Sequence, residues 1–165
     1  MKRFFLSSFF LTLVMSTFQN QVLAENEPYR PCAQEDVLGT WIMAHQIINA
    51  KVDTHDPFYF KYQRYVFEED KTMKHLTSNQ PLTQKERDLE ENTPAHRTYS
   101  VAADGSMILK KQNSSDVETM TCSYITDEKP NTPVITPHKG DILLTFFVKQ
   151  DQPPVLFRLL RREKN

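Results

Sequence analysis

Methionine and histidine side chains are the residues of this sequence best suited to bind a metal. Met43 with His45, and Met73 with His75, are spaced so that each pair could share one face of a strand, and a thioether beside an imidazole suits copper. The five histidines nevertheless contain no H-x-H or H-x₃-H spacing. A core methionine near a histidine at the rim of a sheet explains both pairs, so we predict no metal site.

Acidic and nucleophilic side chains form no recognisable catalytic pattern. The sequence contains no G-x-S-x-G or H-E-x-x-H motif and no glycine-rich phosphate loop, and it has three glycines in all. The acidic run at 68–70 has the composition of a solvated turn, and Asp53, His55 and Asp56 fit a polar loop. We therefore predict a protein without enzymatic activity and without a cofactor.

The N-terminus has the composition of an export signal. Lys2 and Arg3 precede an apolar stretch at residues 4–18, and the polar segment that follows ends in Ala24, with Val22 at the −3 position. This arrangement predicts a cleaved signal peptide at residues 1–24. A retained membrane anchor is the alternative, although the apolar stretch is short for a span of ~20 residues. We expect a periplasmic or secreted protein with no stable membrane span after cleavage.

The residues that remain, 25–165, have the length of one domain. Removing Lys2 and Arg3 from the 20 basic residues leaves 18 against 21 acidic ones. Basic residues are concentrated only at 158–164. A net negative charge without an extended basic surface argues against nucleic-acid binding.

Two cysteines, Cys32 and Cys122, remain in the exported chain. In an oxidising compartment an even pair predicts a disulfide. Two separate buried thiols are the alternative. Neither cysteine lies in a C-x-x-C motif that would indicate redox chemistry.

Short segments rich in Val, Ile, Thr, Tyr and Phe recur between clusters of turn residues, and several of them alternate with the period of a strand. Tight turns such as Asp104-Gly105 favour hairpins between consecutive strands, and therefore an antiparallel meander. Eight such strands can close into a barrel that has no exposed edge. The eight predicted strands are residues 39–48, 58–68, 72–77, 95–101, 106–111, 117–126, 141–149 and 155–162.

Two longer connections, 79–94 and 127–139, interrupt this regular spacing. The first contains Thr83 and Glu86 with the spacing of a capping box, which predicts a short surface helix near 83–91. The second has three prolines and is typical of an extended loop.

Gly39-Thr40-Trp41 at the start of the first strand, eight short strands, and an arginine in the last strand resemble the lipocalin pattern within the wider calycin superfamily. The segment 62–76 also resembles the strand–turn–strand of bacterial lipocalin-like domains. The resemblance implies an all-β, up-and-down barrel in which Gly39 and Trp41 lie at the closed end. It further implies that an arginine lies across the indole ring, with Arg158 the first candidate and Arg161 the second. A β-sandwich or an open barrel remains the alternative.

The aromatic content of the strands indicates a binding protein. An eight-stranded barrel can hold one small ligand, or large inward side chains can fill it. We predict that an exported lipocalin-like protein holds a small hydrophobic or amphipathic molecule, with Tyr65, Phe67, Tyr99 and Phe146 as the ligand-binding residues. The alternative is a periplasmic interaction module, an inhibitor, assembly factor or envelope-stress factor, whose loops 79–94 and 127–139 contact an envelope protein.

Overall fold

The structure is a computed structural model that describes residues 28–127, 136–148 and 152–164. The predicted signal peptide lies outside these residues, and so does most of the predicted loop 127–139.

Eight antiparallel strands form a closed barrel, as the sequence predicts. From β2 onward each strand pairs with the next one along the chain, and β9 pairs with β2 to close the ring. In chain order the strands are β1 (Tyr29–Pro31), β2 (Gly39–Ile48), β3 (Tyr62–Phe67), β4 (Thr72–Ser78), β5 (Arg97–Val101), β6 (Ser106–Lys111), β7 (Val117–Ile125), β8 (Ile142–Phe146) and β9 (Leu156–Arg162).

Strand β1 is an addition to the barrel that the sequence does not predict. It pairs with β7, where Arg30 lies opposite Tyr124, beyond the last pairing of β7 with β6. Three residues are too few to show an alternating pattern, and they include Pro31, which is depleted in strands. Proline is tolerated here because β1 is an edge strand.

A disulfide fastens this N-terminal segment to the barrel. Cys32 follows β1 and is bonded to Cys122 of β7, with the two Cα atoms 5.4 Å apart. Both cysteines are buried. A short helix, α1 (Gln34–Val37), then leads into β2.

Trp41 lies at the closed end of the barrel, where α1 covers it. Its side chain is fully buried, and its indole N–H donates to the carbonyl of Val37 at 2.7 Å. The guanidinium of Arg162 lies 4.5 Å from the centre of the ring. Gly39 has a φ of +102°, and a Cβ atom there would lie 2.8 Å from Arg162. Only glycine fits both the backbone conformation and the close approach of that arginine.

The prediction that Arg158 lies across Trp41 is wrong, and so is its second candidate, Arg161. Trp41 pairs with Arg162 across β2 and β9. Arg158 lies four residues earlier on the same strand, about 13 Å away at ~3.3 Å per residue. Arg161 points to the outer face, where it forms an ion pair with Asp141.

A β-bulge at residue 44 changes which side chains of β2 face the interior. The register shifts between Met43 and His45, so that Gln46 pairs with Arg158. Strict alternation predicts that Ile47 shares a face with Trp41 and Met43, but one extra residue in the strand reverses the remaining side chains. Gln46 therefore faces Arg158 inside the barrel.

A second helix, α2 (Gln84–Asn92), lies on the outside of the barrel between β4 and β5. Its capping box is formed, because the Thr83 hydroxyl accepts from the amide of Glu86 and the Glu86 carboxylate accepts from the amide of Thr83. The buried pair of Arg64 and Glu90 holds α2 against β3. Among the described residues no helix is long and apolar enough to cross a membrane.

The insertion of α2 opens the barrel wall. Strands β4 and β5 pair only through Thr72 with Thr98 and Met73 with Arg97, next to the closed end. Further along β4 no residue of β5 lies opposite, and α2 with the segment before β5 covers the gap. We call this opening the wall gap.

Candidate functional site

Arg158 is the most unusual side chain inside the barrel. It is 1% exposed, although it carries a guanidinium. It donates to the hydroxyl of Tyr65 at 2.9 Å, to Oε1 of Gln46 at 3.4 Å and to the carbonyl of Phe58. Its guanidinium also lies 4.2 Å from the ring centre of Phe58 and 4.9 Å from that of Phe146.

No carboxylate compensates the charge of Arg158 within the part of the chain that the structure describes. The other buried or half-buried arginines are ion-paired: Arg64 with Glu90 and Glu163, Arg97 with Glu118, and Arg161 with Asp141. A buried charge is costly unless an opposite charge or several hydrogen bonds compensate it. The partners of Arg158 among the described residues are neutral oxygens and aromatic rings.

The hydroxyl of Tyr65 connects Arg158 to a polar network. This hydroxyl donates to Oε1 of Gln63 at 2.6 Å, and the same oxygen lies 3.1 Å from Nε2 of His75. The imidazole of His75 stacks on Tyr65, with ring centres 4.3 Å apart. Burial raises the pKa of Tyr65, and burial together with Arg158 and Arg97 lowers the pKa of His75 well below its usual value. Both side chains are therefore uncharged at neutral pH.

A single 3₁₀ turn (Pro57–Tyr59) covers the mouth of the barrel, the end opposite Trp41. The sequence predicts a strand from residue 58 onward, but Pro57 in the first turn and the carboxylate of Asp56, which accepts from the amide of Phe58, favour the helical turn. The carbonyl oxygens of this segment accept from inward side chains: Phe58 from Arg158 and Gln63, Tyr59 from Gln46, and Phe60 from Gln63.

The four side chains predicted to bind a ligand, Tyr65, Phe67, Tyr99 and Phe146, are all buried inside the barrel. Tyr65 and Phe146 contact Arg158. The ring of Phe67 stacks on that of Tyr65, with ring centres 6.2 Å apart. Closer to the closed end, it packs edge to face against Tyr99, with ring centres 5.0 Å apart. Each of these side chains is at most 7% exposed, so a ligand that contacts them has to displace a neighbouring group. Their contact with a ligand stays a prediction.

Sequence reasoning missed four members of the site: Gln46, Phe58, Gln63 and His75. A signal exists for Gln63, because it alternates with Tyr65 and Phe67 along β3. Gln46 gives no such signal, since the bulge reverses its face. No cluster of three or more metal-binding side chains occurs within the described residues.

The fold and this site together define a closed eight-stranded antiparallel barrel, compatible with a lipocalin-like fold, whose interior holds an arginine that has no acidic partner among the described residues. Comparison of the chain with family models, curated proteins and solved structures finds no match.

Proposed function

We propose that this protein is an exported carrier that binds a small amphipathic acid near the mouth of the barrel, where Arg158 binds the acidic group. The observation that carries the proposal is the burial of the Arg158 guanidinium with no carboxylate partner in the part of the chain that the structure describes. A carboxylate supplied by a ligand compensates the charge and forms charge-assisted hydrogen bonds. The rings of Phe146 and Tyr65, which contact Arg158, provide apolar surface for the rest of the molecule.

In the unliganded protein, the carbonyl of Phe58 accepts the hydrogen bond that Arg158 would donate to an oxygen of the ligand. It accepts from Arg158, and the Phe58 ring lies against both the guanidinium and Phe146. When the 3₁₀ turn moves outward, it frees a donor of Arg158 and the volume of one aromatic side chain at the same time. The residues before this turn, 49–56, are mostly exposed. The movement breaks the hydrogen bonds that Gln46, Gln63 and Arg158 donate to the turn.

Export is part of the same proposal. The Cys32–Cys122 disulfide is compatible with an oxidising compartment, and it supports the periplasmic or secreted location that the N-terminus predicts.

Calorimetric titration with octanoate and with 1-octanol tests the binding of an acid. These probes share an apolar chain and differ in charge, and a hydrogen bond to a charged group is worth about 1.5–3 kcal/mol. We expect octanoate to bind about tenfold or more tightly than octanol. Substituting Arg158→Gln should abolish this preference, whereas the matched control Arg161→Gln, on the outer face, should retain it.

A second variant distinguishes loss of the binding site from a folding defect. Phe58→Ala opens the mouth and keeps Arg158, so octanoate should bind faster and with at least the affinity of the unaltered protein. Absence of octanoate binding to both proteins, or an acid preference that survives Arg158→Gln, contradicts the proposal. Isolation of the ligand-free protein together with an envelope protein would instead support the alternative function, a periplasmic interaction module.

A further inference from the structure

A cavity of about 170 Å³ lies at the wall gap, between β4 and α2. It is separate from the mouth, because the unpaired part of β4 and the residues around α2 form its walls. We call it the side cavity. Its apolar walls are Leu76, Leu89 and Pro94, and the imidazoles of His75 and His96 are among its polar groups.

The size of the side cavity limits what it can hold. A cavity of ~150 Å³ lined by apolar side chains accepts benzene. A volume of about 170 Å³ therefore accommodates one six-membered ring with a small substituent. A longer chain would extend past the exposed Leu89 into solvent.

Most charged groups at the side cavity have partners, although Oε1 of the buried Glu90 accepts no hydrogen bond within the described residues. Glu90 pairs with Arg64, the carboxylate of Glu86 accepts from Thr83, and the ammonium of Lys74 donates to the carbonyl of Glu91. Lys74 also lies 3.7 Å from the carboxylate of Glu68, so an anion finds no unpaired cation among these groups. The lining thus favours a neutral molecule.

His75 supplies the polar atom for that molecule. The side-chain amide of Gln63 donates to the carbonyls of Phe58 and Phe60, which orients its Oε1 towards His75. Since Oε1 can only accept, Nε2 of the neutral imidazole carries the proton, and Nδ1 is left as an acceptor. Among the described residues no group hydrogen-bonds to Nδ1 of His75.

We infer that the side cavity is a binding site for a small neutral ring compound with one hydroxyl group, of the phenol or cyclohexanol type, whose hydroxyl donates to Nδ1 of His75. The ring fills the space between Leu76, Leu89 and Pro94. This site does not depend on the binding of an acid at Arg158.

Titration with phenol, toluene and benzoate, followed by NMR chemical shifts of the protein, tests the inference. Phenol and toluene have the same size, so their difference reports the hydrogen bond, which is worth about threefold to tenfold in affinity. We expect phenol to bind more tightly than toluene by that factor, and benzoate to bind most weakly.

Two variants separate the hydrogen bond from the cavity. His75→Phe keeps a ring stacked on Tyr65 and removes the acceptor, so phenol and toluene should bind equally. Leu76→Trp fills the side cavity from β4, so neither compound should bind. The matched control His55→Phe changes an exposed loop residue and should leave both affinities unchanged.

Three outcomes would overturn the inference. The first is a preference for phenol that survives His75→Phe, and the second is binding that survives Leu76→Trp. The third is loss of phenol binding in Arg158→Gln, which would place phenol at the mouth. Failure of octanoate to bind has no bearing on these results, so the two sites are tested separately.

Discussion

Trp41 is the largest of the fully buried side chains among the described residues. Its substitution tests the packing at the closed end of the barrel. Trp41→Ala removes the indole from between α1 and Arg162 and leaves a cavity. We expect the free energy of unfolding to fall by about 3–5 kcal/mol, measured by urea denaturation. Val148→Ala, which shortens an exposed apolar side chain, serves as the control. A loss below about 1 kcal/mol would mean that the ring contributes little packing at this end.

His75 makes the stability of the fold depend on pH. Burial, with Arg158, Arg97 and His96 acting in the same direction, holds its pKa well below 6.5 in the folded protein. The unfolded chain therefore takes up a proton at a higher pH than the folded chain does. Stability from this residue is full above about pH 6.5 and is lost as the pH falls toward the folded pKa.

Urea denaturation at pH 7 and pH 5.5 measures this dependence. His75→Gln should lose less stability between the two pH values than the unaltered protein, and the exposed control His55→Gln should behave like the unaltered protein. Comparing variants removes the contribution of Glu90, whose pKa burial raises and which therefore acts in the opposite sense. An equal loss in all three proteins would show that His75 protonates as readily folded as unfolded.

The elements of the fold are less uniform than the strand pattern suggests. The eight barrel strands agree with the sequence prediction to within a few residues, because alternating burial and turn residues mark them locally. The bulge in β2 leaves no such mark, and the turn over the mouth is marked only by Asp56 and Pro57. Both depend on contacts with β9 and β3, which are distant in the chain.

Helix α2 is held to the barrel by charged side chains. The guanidinium of Arg64 contacts Glu90, Glu91 and Glu163, and Arg87 adds a second pair with Glu163. Glu90 is buried with Arg64, whereas Glu91 is mostly exposed. The two neighbouring glutamates carry the same charge and differ in burial, so the effects of substituting them can be compared directly.

Glu90→Ala should destabilise the fold by about 2 kcal/mol, because it leaves the buried Arg64 with fewer partners. Glu91→Ala removes an exposed contact and should cost less than about 0.5 kcal/mol. Hydrogen exchange should locate the effect of Glu90→Ala in the amides of α2. Equal effects of the two substitutions would contradict the role assigned to the buried pair.

On the scale of the whole molecule, the disulfide joins the N-terminal segment to the centre of β7. The bonded cysteines are 90 residues apart in the sequence, so the bond restricts a large part of the unfolded chain. Replacing both with serine should lower the free energy of unfolding by roughly 4 kcal/mol in the chain-entropy description. Urea denaturation of the oxidised protein, the reduced protein and the double variant measures this. If all three unfold alike, the bond does not stabilise the fold.

Barrel closure is also a property of the whole molecule. The pairing of β2 with β9 joins residues more than a hundred positions apart, and it sets which arginine meets Trp41. The sequence correctly indicates an arginine of the last strand as the neighbour of the indole. It cannot choose among Arg158, Arg161 and Arg162, because the register follows from the bulge and from closure of the ring.

The class of fold, the positions of the eight barrel strands, the short helix and the pairing of the two cysteines can all be predicted from the amino-acid sequence. These features follow from local alternation, turn chemistry, capping and composition. The three-dimensional structure was needed to show that Arg158 lies near the mouth with no acidic partner within residues 28–127, 136–148 and 152–164, that Phe58 covers it, and that α2 and β4 enclose a cavity beside His75. Each of these features depends on which strands, distant in the sequence, pair with one another and in what register. A local sequence pattern does not specify that pairing.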